Sequence, residues 1–269
     1  MMVFPWLKNT DRHLKKIVHA LDILIVLSMR DITARYRHTA IGIAWVVLQP
    51  ALSVLIMSLV FGRFIQNNMY GLPCPVFICI GFLPWMMVSE GITRSAHSIV
   101  VSPDLIKKVF FPRILLPLAV IVSTIVDFFV VFAVLIVLAG LYGALNLQLL
   151  IMFPVVLVFC CLIVVGCGTA ICALNVLYRD IRNILPFFMQ MWLLLTPVVY
   201  SSTMLPEPYT RLFLLNPLTG IIEWYRAGVS GVAPIDAIPI AWLLGVAFVV
   251  GVAGVWVFLR LERVLADMI

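Results

Sequence analysis

Polar and apolar positions fall in long blocks along this chain instead of alternating. Six stretches are predominantly apolar, several of them on every side: Ile41 to Phe64, Pro75 to Ser95, Ile114 to Leu141, Leu149 to Leu174, Ile184 to Val199 and Ile238 to Leu259. Most run for about 20 residues, the length of helix that crosses a hydrocarbon core; the fifth is short. A soluble helix is apolar along one stripe only, so segments like these need lipid or protein all round. The pattern predicts an all-α integral membrane protein with six transmembrane helices. Residues 41–269 form the six-span transmembrane domain and residues 1–40 a cytoplasmic N-terminus.

Two stretches read differently. In LKKIVHALDILIVLSMRDITARYR, the residues Leu14, Ile17, Val18, Leu21, Leu24 and Ile25 recur at spacings of three and four, with charges between them and at the ends. That spacing predicts an amphipathic helix lying at the cytoplasmic interface. A seventh span is the competing reading, but Asp22, Arg30 and Asp31 interrupt the run. Between the last two spans, Pro206 to Asp236 holds two apolar runs, each too short to cross, separated by Asn216-Pro217. Two short re-entrant helices fit this segment better than a plain loop, which would leave Leu212 to Leu215 and Ile221-Ile222 in water. Irregular backbone at that depth is allowed where protein or a water-filled cavity satisfies it.

Composition agrees with the pattern. The chain is 64% hydrophobic and 11% charged, with a mean hydropathy of +1.17; an ordinary soluble domain is about 25% charged. The N-terminus, MMVFPWLKNTDRHLKKIVHA, has charges and no apolar core before a cleavage site, so insertion is expected to use the internal segments. The net charge of +6 could point to nucleic acid, but its distribution points elsewhere. Lysine and arginine crowd the N-terminus, the second-to-third connection (Lys107, Lys108, Arg113), the fourth-to-fifth (Arg179, Arg182) and the C-terminus (Arg260, Arg263). The other connections are nearly bare, or balance Arg211 and Arg226 against acids. This alternation is the positive-inside pattern of six spans with both ends cytoplasmic, and it accounts for most of the charge without nucleic acid.

Little in the chain suggests catalysis. It has no GxxxxGK[ST] phosphate loop, no HExxH and no GxSxG. The six cysteines form no CxxC pair and read as small apolar filler, not metal ligands. Among intramembrane ionisable groups, Asp127 lies about 14 residues into its span, roughly 21 Å along a helix, and Glu90 and Arg94 stand one turn apart. Such residues are costly in lipid. They read either as an ion relay or, more simply, as a neutralised Glu90–Arg94 pair beside an acid that faces a polar cavity or a neighbouring helix. Trp45, Gln49 and Ser53 share one face of the first span, and Phe187, Gln190 and Met191 cluster in the fifth. Aromatic faces with amides suit a sugar, which offers an apolar face and a rim of hydroxyls. Ordinary helix packing with interfacial anchors is the alternative.

Four segments carry a resemblance: RDITARYRHTAIGIAWVVLQP, PDLIKKVFFPRILLPLA, LNVLYRDIRNILPFFMQMWLLLTPVVYS and LNPLTGIIEWYRAGV. In this order, over about Arg30 to Val229, they resemble the membrane subunit of type-2 ABC exporters for polysaccharides and polyol phosphates, the group that moves lipid-linked O-antigen, capsule and teichoic acid. The resemblance implies a permease in the bacterial inner membrane. It would work as a homodimer bound to two separate ATP-binding subunits, with ATP and magnesium held by those partners and no cofactor in this chain. On that analogy Asp104 to Phe111 is a coupling helix presenting Asp104, Leu105, Lys107, Lys108, Phe110 and Phe111 to the ATPase. Tyr178, Arg179, Asp180 and Arg182 belong to a second contact. Arg35, Tyr36 and Arg37 stand where a pyrophosphate-linked head group enters, and the Trp45 and Phe187 clusters line the channel. The re-entrant pair, with Asn216, Pro217, Glu223 and Trp224, forms the outer gate. O-antigen is the favoured cargo, with capsule or teichoic acid also open. The alternative from a different class is an ion-coupled secondary transporter or lipid flippase using Asp127 and Glu90.

Overall fold

The computed structural model describes residues 5–36, 44–62, 70–108, 111–204, 206, 213, 215–232 and 239–268; side chains are not described for 5–17, 36, 104, 203 and 263–268. Among the described residues the chain is helical: α1 (Pro5–Tyr36), α2 (Ala44–Phe61), α3 (Cys74–His97), α4 (Pro103–Lys108), α5 (Leu115–Leu141), α6 (Leu147–Leu177), α7 (Ile181–Leu194), a 3-10 turn at Ser202–Met204, α8 (Pro217–Ser230) and α9 (Ile240–Met268). Among the described residues, five helices are long and apolar enough to cross a membrane: α2, α3, α5, α6 and the Ile240–Glu262 part of α9. The fifth predicted span is instead the 14-residue α7. The chain leaves the helix after Leu194, although the apolar sequence continues to Val199.

The core lies between α3, α5, α6 and α8. Phe132 and Phe128 of α5 stack on Phe153 of α6, with ring centroids 3.6 and 5.1 Å away. Trp85 of α3 meets Trp192 of α7 edge to face at 5.9 Å, fixing the short helix to the bundle. The largest interface joins α6 to α9, where small residues let the backbones approach. A Cβ placed at Gly254 would collide with the Gly166 carbonyl, and one at Gly166 with the Val250 carbonyl. By contrast α2 is covered at little more than Pro50 and Val54.

Local chemistry sets the ends. Asn146 caps α6, its side chain accepting from the Gln148 N–H at 3.2 Å, and Gly231 takes φ +72° just past α8. Of the two short helices expected between the last spans, the second forms as α8; the first falls outside the described residues apart from Phe213 and Leu215. The helix expected before the first span is α1, which runs from Pro5 and packs on α5. It buries Leu27 and Ser28 and leaves Val18, Leu21, Ile25 and Met29 exposed along one stripe.

Candidate functional site

On the side of the basic connections, α4 opens with Pro103, whose missing N–H would have no partner in a first turn anyway. Six residues cannot hold a helix alone, and this one is pinned by packing. Leu105, Ile106 and Phe111 join Leu27, Leu115 and Phe258 in a second core cluster. The pinned face leaves Lys107 and Lys108 exposed. Between α4 and the α6–α7 junction lies a cleft of about 710 Å³ whose walls include Lys107, Asn175, Arg179, Arg182 and Asn183. Two connections far apart in sequence thus pool three cations on one concave surface. Asn175 at its base is buried, donating to the Ala96 carbonyl at 2.7 Å and touching His97 Nδ1 at 3.2 Å. Its Oδ1 has no hydrogen-bond partner among the described residues. Tyr178, Arg179 and Asp180 are exposed beside it. Phe110 and the side chain of Asp104 lie outside the described residues.

The intramembrane charges are arranged otherwise than the one-turn spacing suggested. Arg94 does not pair with Glu90, which is exposed and forms no ion pair with a described residue. Instead Arg94 reaches Asp31 of α1 at 2.5 Å and Asp127 of α5 at 3.1 Å. Arg35 completes the figure, at 2.6 Å from Asp127 and 3.6 Å from Asp31. The four charges alternate in a closed ring, with the Ser123 hydroxyl bridging Arg94 and Asp31. Sequence spacing could not rank a partner one turn away against partners on other helices; geometry does, because the ring gives each charge two neighbours of opposite sign. Arg35, expected where a head group enters, is therefore engaged by carboxylates. The side chain of Tyr36, and Arg37 entirely, lie outside the described residues.

Of the residues expected to line a channel, Trp45 and Gln49 are exposed on α2, where the half-buried Ser53 donates back to the Gln49 carbonyl at 2.9 Å. On α7, Phe187, Gln190 and Met191 are exposed while Leu185 and Met189 are buried. Helix α2 packs on α3 and α5, whereas α7 packs on α3 and α6. Among the described residues no other helix covers Trp45 and Gln49 or Phe187, Gln190 and Met191.

Around α8 lies a buried cluster centred on Arg226, a residue that in the sequence stands out only as a charge balanced by nearby acids. Arg226 has no exposed surface. Its Nη1 donates to the carbonyls of Pro197 at 2.7 Å and Tyr200 at 3.0 Å and to Glu223 at 3.4 Å. Its Nη2 donates to Val198 at 2.5 Å and Phe77 at 3.3 Å, and the guanidinium lies 3.6 Å from the centre of the Phe77 ring. Glu223 also accepts from the Tyr70 hydroxyl at 2.6 Å and from the Ser202 N–H at 3.2 Å. The guanidinium keeps its charge, paired with Glu223 and met by four carbonyls. Burial first, then the Glu223 charge, raises the Tyr70 phenol, which therefore remains a donor. The available sequence signals were the Glu223–Arg226 spacing of three and a glycine: a Cβ at Gly81 would stand 2.5 Å from Arg226 Nη2 and 2.7 Å from the Val198 carbonyl. Asn216 caps α8, accepting from the Leu218 N–H at 3.1 Å and donating to Thr196 at 2.9 Å, while Pro217 opens the helix. Trp224 is half-buried. Of the four residues expected in the outer gate, two thus shape the start of α8 and Glu223 is internal.

The profile of the ABC-2 type transporter family matches residues 23–229. The O-antigen export system permease protein RfbA of Myxococcus xanthus is 32% identical over 207 residues, covering 76% of this chain and 79% of that one. Its namesake from Klebsiella pneumoniae is 25% identical over 250 residues, 92% of this chain and 95% of that one. The polysialic acid transport protein KpsM of Escherichia coli is 23% identical over 212 residues, 76% and 79% of the two chains.

Proposed function

The chain belongs to the ABC-2 type transporter family, and from that membership we propose that it is the permease of an ATP-driven exporter of a lipid-linked polysaccharide, with O-antigen as the favoured cargo. It sits in the bacterial inner membrane with both termini in the cytoplasm. Two copies pair, and two separate ATP-binding subunits supply the energy. Helix α7, with the non-helical segment that follows it, makes the sixth crossing. The choice of O-antigen over capsule rests on relatives carrying that name at 32% and 25% identity, against 23% for the polysialic acid protein.

The observation that carries the reading is the basic cleft. Lys107 on α4 and Arg179 and Arg182 at the α6–α7 junction line one surface, so an ATPase seated there touches elements that run directly into the membrane helices. Positive-inside topology alone asks for cations on this side, not for their convergence on one cleft. Replacing Lys107 and Lys108 with glutamate is expected to abolish polymer export and co-purification with the ATPase subunit while leaving membrane insertion intact. Normal export by that double variant would sink the reading.

The ion-coupled alternative needs Asp127 and Glu90 to act together. Asp127 is engaged by two arginines, and Glu90 forms no ion pair with a described residue. That arrangement favours a structural role for Asp127 over a relay.

A further inference from the structure

Helix α7 ends at Leu194, and Pro197 cannot donate to a helical ladder. The carbonyls of Pro197, Val198 and Tyr200 therefore need donors from elsewhere. In lipid, or in a protein interior at that depth, leaving them unmet is costly. A single guanidinium meets all three and adds the Phe77 carbonyl of α3. Its counter-ion Glu223 sits one turn earlier on α8 and is itself held by Tyr70 and by the Ser202 N–H. One buried ion pair thus ties together the approach to α3, α3 itself, the unwound segment after α7, and α8.

A buried ion pair is a weak source of stability compared with apolar packing of the same volume; its best-attested use is to select one conformation among several. Here most of Arg226's acceptors are main-chain, so what the pair selects is the path of the backbone over Pro197 to Tyr200 against α3 and α8. Gly81 is the complementary element on α3, since any side chain there would occupy the guanidinium's place.

Resting on the reading of the chain as an exporter permease, we propose that Arg226, with Glu223 and Tyr70, is a clasp that holds the unwound segment and α8 in the closed position at the outer end of the pathway. These are positioning residues. Arg226 is wholly buried and acts through the backbone it holds. When the clasp releases, the three carbonyls lose their shared donor together, so the segment has two discrete arrangements instead of a continuum.

The test uses the full complex, permease with ATPase, in vesicles of phosphatidylethanolamine and phosphatidylglycerol, and reads potassium efflux without ATP. Tyr70→Phe removes one hydroxyl from the clasp and nothing from the fold's apolar core. Arg226→Lys keeps the charge but cannot fan out to the acceptors. Loss of a hydrogen bond to a charged group is expected to raise the open population, and with it the efflux, by about tenfold for Tyr70→Phe. A larger rise is expected for Arg226→Lys. Addition of ATP should then drive less polymer per ATP hydrolysed in both variants, a coupling ratio that mere loss of folded protein would leave unchanged. If Arg226→Lys does not insert, Tyr70→Phe decides. Vesicles of Tyr70→Phe as tight as wild type would overturn the clasp. The exporter reading fails by a different sign, a wild-type complex that moves no polymer with ATP, and the efflux comparison holds in either case.

Discussion

Asp127 lies well inside an apolar helix, where a lone carboxylate would cost several kcal/mol of desolvation. It is tolerated because Arg35 and Arg94 both reach it, and because Asp31 balances the second arginine. The sequence displayed the four charges but not their pairing, since Asp31 and Arg35 come from a helix that the apolar pattern places only at the interface. The neighbours along the chain, Glu90 and Arg94, were the misleading pair. If the ring acts as a unit, its members are coupled. Arg94→Gln should lower the unfolding free energy by about 3 kcal/mol, the low end for a broken buried pair, because the ring keeps some contact with solvent. Adding Asp31→Asn to that variant should cost much less than Asp31→Asn in wild type, with a coupling of at least about 1 kcal/mol. Denaturant unfolding in detergent micelles measures all three variants. Strictly additive losses would show that the ring is four charges without mutual dependence.

Four of the six predicted spans form helices whose described ends lie within three residues of the apolar blocks, because block length alone encodes a crossing. The others show what hydropathy cannot see. Leu195, Val198 and Val199 extend the fifth apolar run past the point where Thr196-Pro197 ends the helix, and the Arg226 contacts, with Asn216 on Thr196, show why the bend is stable. The last span continues as α9 through Glu262 to Met268, since helix propensity persists where apolarity stops. Helix pairing was equally hidden. The close crossing of α6 and α9 depends on glycines whose spacing is unremarkable on paper, and it makes a contrast within one helix. A Cβ at Gly254 would strike the Gly166 main chain, whereas one at Gly245 meets nothing within 4 Å. Backbone cannot rotate aside as a side chain can. Gly254→Ala is therefore expected to cost about 3 kcal/mol, the upper range for overpacking, while Gly245→Ala should be neutral or slightly stabilising. Thermal unfolding of the two variants in the same detergent separates packing from propensity, and equal stability would refute the close crossing.

The whole molecule presents two kinds of exposed membrane face, and they differ in chemistry. On α9, Trp242, Val249 and Trp256 lie along one exposed line, with Arg260 over the Trp256 ring at 4.6 Å. Tryptophan at each end with apolar residues between is the profile of a surface that meets lipid at both interfaces. The faces of α2 and α7 mix aromatics with amides: Trp45 and Gln49 on one, Phe187 and Gln190 on the other. Amides facing lipid would leave polar groups unmet, so these faces call for protein or water instead. The second copy of the chain proposed above would supply both, covering part of each face and enclosing the rest around a polar path. The sequence carried the stripes but could not say that both remain uncovered among the described residues, which depends on α3 filling the core between its neighbours. A photo-crosslinking side chain placed at Gln190 or Gln49 should therefore join two copies of the chain in intact membranes, and the same group at Val249 should give lipid adducts and no dimer. On the exporter reading proposed above, the yield at Gln190 should fall during export, because the cargo would then occupy the space between the faces. Dimer crosslinks from Val249 with none from either glutamine would put the partner on α9 and remove the argument that these amides line a shared path.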